Sequence, residues 1–358
     1  MIQLSIPTIT DEMKEKVLEI LDSRRFIKGP NVEAFEKEFS RYCGAGYGVS
    51  ANSGTSAIFM ALKALGVGAK DEVIVPSHTF IASATPILMV GAKPVFVDTG
   101  NDYLMDVNDV ERKTTSRTKA VICVHLYGQM CDMDRLMQLK EKSGFALIED
   151  CCQAHGAEYN GRRAGSFGEA GCFSFFPSKN MTVAGDGGMA VTSDEKLYKI
   201  MKMLHDHGRD YSTKEGKYKS TILGYNFRMS EISAAIGMCQ LKLLDEWSQR
   251  RREIAAQYNE MLTDDLVKPV VAKNRKHVYH LYVVRTERRN ELQKFLHENG
   301  IETGIHYPIP IHKQPVFEDC KLPNTENLCN EILSLPIYPL LGDEQVKQIC
   351  NRINEFFE

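Results

Sequence analysis

An acid, a lysine and a glycine–hydroxyl turn stand where they could serve one reaction centre. Asp150 closes the apolar run Ala146-Leu147-Ile148-Glu149-Asp150, and Lys179 follows a second apolar run 179 − 150 = 29 residues later, ahead of the turn Gly185-Asp186-Gly187-Gly188. Open α/β sheets place ligands at the carboxyl ends of their strands. A carboxylate there needs a partner, because an unpaired charge in an apolar site is costly. Taken alone, the two residues suit a turn-capping aspartate and a solvated lysine better than a paired site. Upstream, Asn52-Ser53-Gly54-Thr55-Ser56 separates a strand-like run from an apolar helix beginning Ala57-Ile58-Phe59. Gly54 lets a ligand approach the backbone, and a helix N-terminus offers free N–H groups to a phosphate. An ordinary N-cap has the same composition. No Walker A lysine follows the glycine, which excludes a P-loop for nucleoside triphosphates.

The three pieces together match what pyridoxal 5′-phosphate (PLP) requires. Lysine supplies the amine for a Schiff base, and the aspartate pairs with the pyridinium nitrogen so that the ring acts as an electron sink. Phe80, after Pro76-Ser77-His78-Thr79, offers a flat face for that ring, with plain core packing as the alternative.

These residues must be positioned by alternating elements. Residues 71–75, 93–98, 120–124 and 146–150 read as buried strands, with further strands near 172–176 and 189–192. Their near-continuous apolarity suits a sheet covered on both faces. Residues 55–65, 80–90 and 133–142 read as helices, so the class is α/β with a mostly parallel sheet. A long helix is predicted over Ser230 to Leu262, and the run Arg250-Arg251-Arg252-Glu253 on it reads as a solvated face pairing with nearby acids. Strand-like 280–284 and 301–306 alternate with helices near 291–299 and 343–357, as in a smaller α+β domain.

Composition sets the limits. The chain has 358 residues, room for roughly two domains, and 44 basic against 47 acidic residues give a net charge of −3. With 43% hydrophobic and 25% charged residues it can bury a sizeable core. A near-balanced charge offers no field for nucleic acid or an anionic membrane. The longest apolar stretch, around 80–90, is broken by Ser83, Thr85 and Pro86 and is too short to span a bilayer. The N-terminal segment has neither a basic nor a long apolar region, so a cytoplasmic location is expected. No pair of the ten cysteines forms Cys-x-x-Cys, so neither a zinc site nor another metal site is expected, and scattered thiols in a reducing compartment are mostly small buried hydrophobes.

The motifs in combination resemble those of the DegT/DnrJ/EryC1/StrS sugar aminotransferases, which have the aspartate-aminotransferase (type I PLP) fold. The resemblance runs nearly end to end. It covers Phe26-Ile27-Lys28-Gly29-Pro30 with Phe35-Glu36, SGTSA at 53–57, DEVIVPSHTF at 71–80, GAKPVFVD at 91–98 and EDCCQAHGA at 149–157. It continues through FSFFPSKN at 173–180, GDGG at 185–188, GYNFRMSE at 224–231, HYPIPIHKQP at 306–315 and SLPIYP at 334–339.

That resemblance implies a large PLP-binding domain over 1–245, whose first ~20 residues pack on the small domain, and a small C-terminal domain over 246–358. It implies that Lys179 carries the internal aldimine and then shuttles the proton, that Asp150 holds the pyridine nitrogen, and that Gln153 contacts the ring hydroxyl. Phe80 would stack on the ring, where several relatives use tryptophan, and Gly54, Thr55 and Ser174 would bind the phosphate. Asn226 would reach the cofactor phosphate of the neighbouring subunit in a homodimer, and Arg228 would meet a substrate or donor carboxylate. His306 and Tyr307 would line the sugar-nucleotide side, and His155 would support the cofactor pocket through a structural hydrogen bond. His205 and His207 read as polar helix-end residues, since positions i and i+2 do not face each other. The implied reaction moves an amino group from L-glutamate to a keto sugar on a nucleoside diphosphate, at C3 in preference to C4. Two rivals are a PLP-dependent sugar dehydratase, in which histidine replaces the lysine, and a non-catalytic regulator, which would lose the lysine or the aspartate. Lys179 and Asp150 speak against both.

Overall fold

Runs rich in valine, isoleucine and alanine form the strands of one large sheet. The computed structural model describes residues 1–211, 215–216 and 218–358. In chain order β1 (Tyr47–Ala51), β2 (Glu72–Pro76), β3 (Lys93–Val97), β4 (Thr118–Val124) and β5 (Ala146–Asp150) lead to two short strands, β6 (Glu158–Tyr159) and β7 (Arg162–Arg163), and then to β8 (Ala170–Ser174) and β9 (Gly188–Thr192). Seven of them form a sheet in the order β1-β9-β8-β5-β4-β2-β3. The neighbours from β8 through β5, β4 and β2 to β3 are parallel, and β9 lies antiparallel to both β1 and β8. Every residue of β2 and β9 is buried, which explains the unbroken apolar runs. Asp150 pairs with Val124 on one side and Cys172 on the other, so it stands at the carboxyl end of the central strands.

Helices Gly54–Ala64 and Met133–Ser143 form where the sequence predicts them. The single helix expected over 80–90 does not. It is a 3-10 turn at Ile81–Ser83 followed by the five-residue helix Thr85–Met89. Pro86 has no N–H to continue a turn from the preceding residues and is tolerated only at a helix start.

The C-terminal part holds a second core. β10 (Arg275–Lys276) joins β6, while β11 (Tyr282–Arg285) and β12 (Ile332–Leu335) pair antiparallel beside helices Arg289–Glu298 and Asp343–Phe357. The strand expected over 301–306 is reduced to isolated bridges, Ile301 with Ile2 and Gly304 with Ser334. Glycine weakens a strand there, and Pro308 and Pro310 cannot donate to a ladder beyond it. Ile2 is buried in this second core, so the extreme N-terminus packs against the C-terminal elements.

The long helix, Glu231–Met261, starts at Ser230, whose Oγ accepts from Ser233 N–H at 3.1 Å. Its first half packs so closely on Phe35 that a Cβ on Gly237 would lie 2.7 Å from the ring. Its second half contributes Ile254, Ala255 and Tyr258 to the C-terminal core. Arg250 pairs with Asp343 at 2.7 Å, as a solvated face would. Arg251 departs from that expectation. It is buried, and its Nη1 donates to the carbonyls of Tyr279 (3.2 Å), His280 (3.4 Å) and Ile337 (2.7 Å), satisfying groups that a helix–loop junction leaves open. Among the described residues no helix is long and apolar enough to cross a membrane.

Candidate active site

The carboxyl ends of the parallel strands open into a cavity of about 410 Å³. Gly54, Thr55 and Ser174 line one part of it, Asp150, Gln153 and Lys179 another, and Phe80, His306 and Tyr307 a third. Asn226 and Arg228 do not line it. Ser53 caps helix Gly54–Ala64 by accepting from Ser56 N–H at 3.1 Å, and the first amides of that helix have no intrahelical acceptor. A Cβ on Gly54 would lie 2.8 Å from both Cys152 Sγ and Ser174 Cβ, so only glycine fits this turn against the cavity floor.

Asp150 is buried and doubly held. Ser83 Oγ donates to its Oδ2 at 2.6 Å, and Cys152 N–H donates to Oδ1 at 3.1 Å. Nothing in the sequence flags Ser83, because it reaches the aspartate only through the fold. Lys179 ends a turn in which its N–H donates to Phe176 O at 2.9 Å. Its amine makes no hydrogen bond or ion pair among the described residues, and burial lowers its pKa against the opposing pull of Cys152 and Asp150. The next residue, Asn180, donates to Val278 O at 3.1 Å and meets His280 Nδ1 at 3.1 Å, which ties the lysine loop to the segment before β11.

On the far side Gln153 accepts from Tyr127 N–H at 2.8 Å and donates to Tyr307 Oη at 2.9 Å. Tyr307 lies 5.6 Å from Phe80 between ring centroids. His306 Nδ1 meets Ser334 Oγ at 2.9 Å, and burial together with the nearby Lys179 takes its pKa down to about 4.

His155 differs from expectation. Among the described residues neither ring nitrogen has a hydrogen-bond partner, and the ring packs against Phe39, Phe173 and Phe175 with centroids 5.4–6.4 Å away. Burial, with Lys179 nearby, pushes it down to about 3, so it is a neutral imidazole in an aromatic wall. Arg228 is ion-paired with buried Asp206, which also pairs with Lys28 and accepts from Tyr211 Oη at 2.7 Å. Despite burial, these partners hold the Asp206 carboxyl well below the usual range. Asn226 bridges the same Asp206 through its backbone. His205 ends helix Glu195–Leu204, its Nδ1 2.6 Å from Lys202 O, and His207 adopts a left-handed φ of 60°.

Beside Asp150, Glu149 points away from the cavity and anchors the strand end. It accepts from His125 Nε2 (3.1 Å) and from the amides of Gly165 (2.9 Å), Phe167 (2.7 Å) and Gly168 (2.9 Å). Cys151 Sγ completes a cluster whose possible ligand atoms lie within 4.8 Å of one another, but the carboxylate is already filled by these donors. Burial alone would raise the pKa of Glu149, yet His125 and the amides hold it below its ordinary value. A lowered folded value means its stabilisation is complete above the unfolded pKa, about 4.3, and disappears as pH falls through the folded one. Glu149→Ala is expected to cost about 3–5 kcal/mol in urea unfolding at pH 7. The gap to the unmodified protein should narrow on acidification below about pH 4, and a gap constant down to pH 3 would contradict this account.

The sequence pattern of the DegT/DnrJ/EryC1/StrS aminotransferase family matches residues 7–354. The chain belongs to that family. It is 43% identical to a UDP-N-acetyl-3-dehydro-alpha-D-glucosamine 3-aminotransferase from Acidithiobacillus ferrooxidans, covering 96% of this chain and 94% of the relative. It is 41% identical to a pleiotropic regulatory protein from Geobacillus stearothermophilus, covering 97% and 96%. The crystal structure of S. venezuelae DesV in complex with a ketimine intermediate superposes with a TM-score of 0.93 at 41% identity, over 97% of this chain and 94% of that one. The protein is therefore a PLP-dependent aminotransferase. Its residues fit the cofactor. The glycine turn leaves no room for a side chain between helix and floor, Phe80 keeps 52% of its surface exposed beside the cavity, and the Lys179 amine has no partner to displace among the described residues.

Proposed function

We propose that the protein transfers an amino group from L-glutamate to a keto sugar carried on a nucleoside diphosphate, at C3 in preference to C4. One observation carries the reading: buried Asp150 and the amine of Lys179, without a partner among the described residues, line the same cavity as the N-terminal turn of helix Gly54–Ala64. The name of the Acidithiobacillus relative supports a nucleotide-sugar acceptor and the C3 position. Retention of both Lys179 and Asp150 favours amino transfer over a regulatory role.

PLP supplies an electron sink for negative charge at the donor α-carbon. Gly54, Thr55 and Ser174 would hold its phosphate at the helix N-terminus, where amides and dipole favour an anion. Phe80 would cover the ring face, and Gln153 would meet the ring hydroxyl. Asp150, kept in place by Ser83 and the Cys152 amide, would keep the ring nitrogen protonated. Lys179 would anchor the cofactor and then carry the proton to and from the donor α-carbon with its freed Nζ. A weakly solvated amine with a lowered pKa suits that task. His306 and Tyr307 would border the sugar, and the remote nucleotide would help to orient the reacting carbon.

The same reading includes a homodimer with shared sites. Asn226 and Arg228 stand outside this chain's own cavity, and Phe26, Ile27 and Leu223 leave large apolar side chains exposed. Asn226 of the partner subunit would then reach the phosphate. Sedimentation is expected to give a dimer, and Asn226→Ala should lose cofactor on dialysis faster than the unmodified protein. A fully active monomer would remove this part. Ten unpaired cysteines support a reducing, cytoplasmic setting.

The deciding experiment incubates the PLP-loaded protein and L-glutamate with dTDP-, UDP- and GDP-linked 3-keto and 4-keto sugars, with mass spectrometry as the readout. Amination of a 3-keto sugar is expected. Amination of 4-keto sugars only would reverse the position, and amination of none would remove the substrate class.

A further inference from the structure

Behind the cavity wall, a directed run of hydrogen bonds ends on the segment that borders the sugar side. Tyr127 Oη–H donates to the His306 carbonyl, so the phenol oxygen must accept from His78 Nε2–H, 2.8 Å away. His78 is buried and neutral, with its pKa down to about 4, so its Nδ1 is an acceptor. Cys329 Sγ lies 3.5 Å from that nitrogen and donates to it. Each donor in the run has one acceptor, and Tyr127, His78 and Cys329 are all buried. The backbone of Tyr127 acts on the same segment. Its φ of 58° is left-handed, a conformation that bulky residues rarely adopt. Its N–H donates to Gln153, whose amide holds the Tyr307 phenol.

We propose that Tyr127, oriented by His78 and Cys329, is a positioning residue that fixes His306 and Tyr307 at the cavity and so sets affinity for the sugar acceptor. The proposal rests on the reading of this cavity as an amino-transfer site for a nucleotide sugar. Tyr127 and His78 belong to the ends of the large sheet, whereas Cys329, His306 and Tyr307 come from the C-terminal part. The run therefore sets how one part of the chain presents its residues to the other.

The test is Tyr127→Phe, which keeps the ring packed 5.2 Å from Tyr103 but removes the phenol oxygen. KM for the keto sugar is expected to rise about tenfold, while the half-reaction with L-glutamate, followed by cofactor absorbance, stays within about twofold. Equal losses in both half-reactions would mark a merely structural residue and overturn the proposal. An unchanged KM would also overturn it while leaving the transferase reading intact. If the unmodified protein aminates no sugar, that reading fails, and a crystal structure of Tyr127→Phe decides the positioning. A shift of the His306 carbonyl with loss of the Tyr307–Gln153 hydrogen bond supports it, and an unmoved segment ends it.

Discussion

Lys179→Ala is expected to fold as the unmodified protein does and to lose amino transfer by about 10⁴-fold or more. Proton transfer by a positioned group accounts for about 10²–10⁴-fold, and the covalent anchor is lost with it. Stability should be nearly unchanged, because among the described residues the amine makes no hydrogen bond or ion pair that its removal would break, and its burial already works against the charged form. The measurements are a thermal melt, the visible absorbance of PLP bound to the protein, and the mass of the chain after borohydride reduction. The unmodified chain should keep the cofactor's mass and the variant should not. A variant that retains normal turnover would show that another group moves the proton.

Asp150→Asn is expected to lower turnover by about 10²-fold or more, since a preorganised charge at a developing charge typically contributes that much. The amide has nearly the same shape and can still accept from Ser83 or the Cys152 amide, but it cannot keep a ring nitrogen protonated. Asp150→Ala would add a second effect, leaving the buried Ser83 hydroxyl without its acceptor at a cost of about 1–3 kcal/mol. Comparing the two variants separates chemistry from packing. Equal melting temperatures for unmodified protein and Asp150→Asn, with a large drop in turnover, are the expected pattern. Unimpaired turnover in Asp150→Asn would remove the aspartate from the reaction.

The core of the fold is legible because β2, β4, β5 and β9 are almost wholly buried and read as near-continuous apolar runs, with Glu149 and Asp150 closing β5. The helix over 80–90 and the strand over 301–306 failed where proline or glycine interrupts an otherwise suitable apolar pattern. Arg251 was misread because a charge on a helix is normally solvated, and only the fold brings the carbonyls of Tyr279, His280 and Ile337 to it. The site divides in the same way. Asp150, Lys179 and Gly54 announce themselves by residue type at strand and helix ends. Ser83, 67 positions from Asp150, and Tyr127, 179 positions from His306, have ordinary local sequence and gain meaning only through contact. The motif resemblance carried family membership, which no pairwise spacing could.

Two adjacent carboxylates at the end of β5 do opposite jobs because a pleated strand sends neighbouring side chains to opposite faces. One clamps the loop at 165–168, and the other stands in the cavity. The strand end is thus a two-letter code whose order is fixed by geometry. A one-residue insertion earlier in β5 would keep both acids in the chain and yet turn the clamp toward the pocket and the pocket's acid toward the loop. Both positions can be mutated singly with separable consequences, but the spacing between them and the strand's start admits no drift.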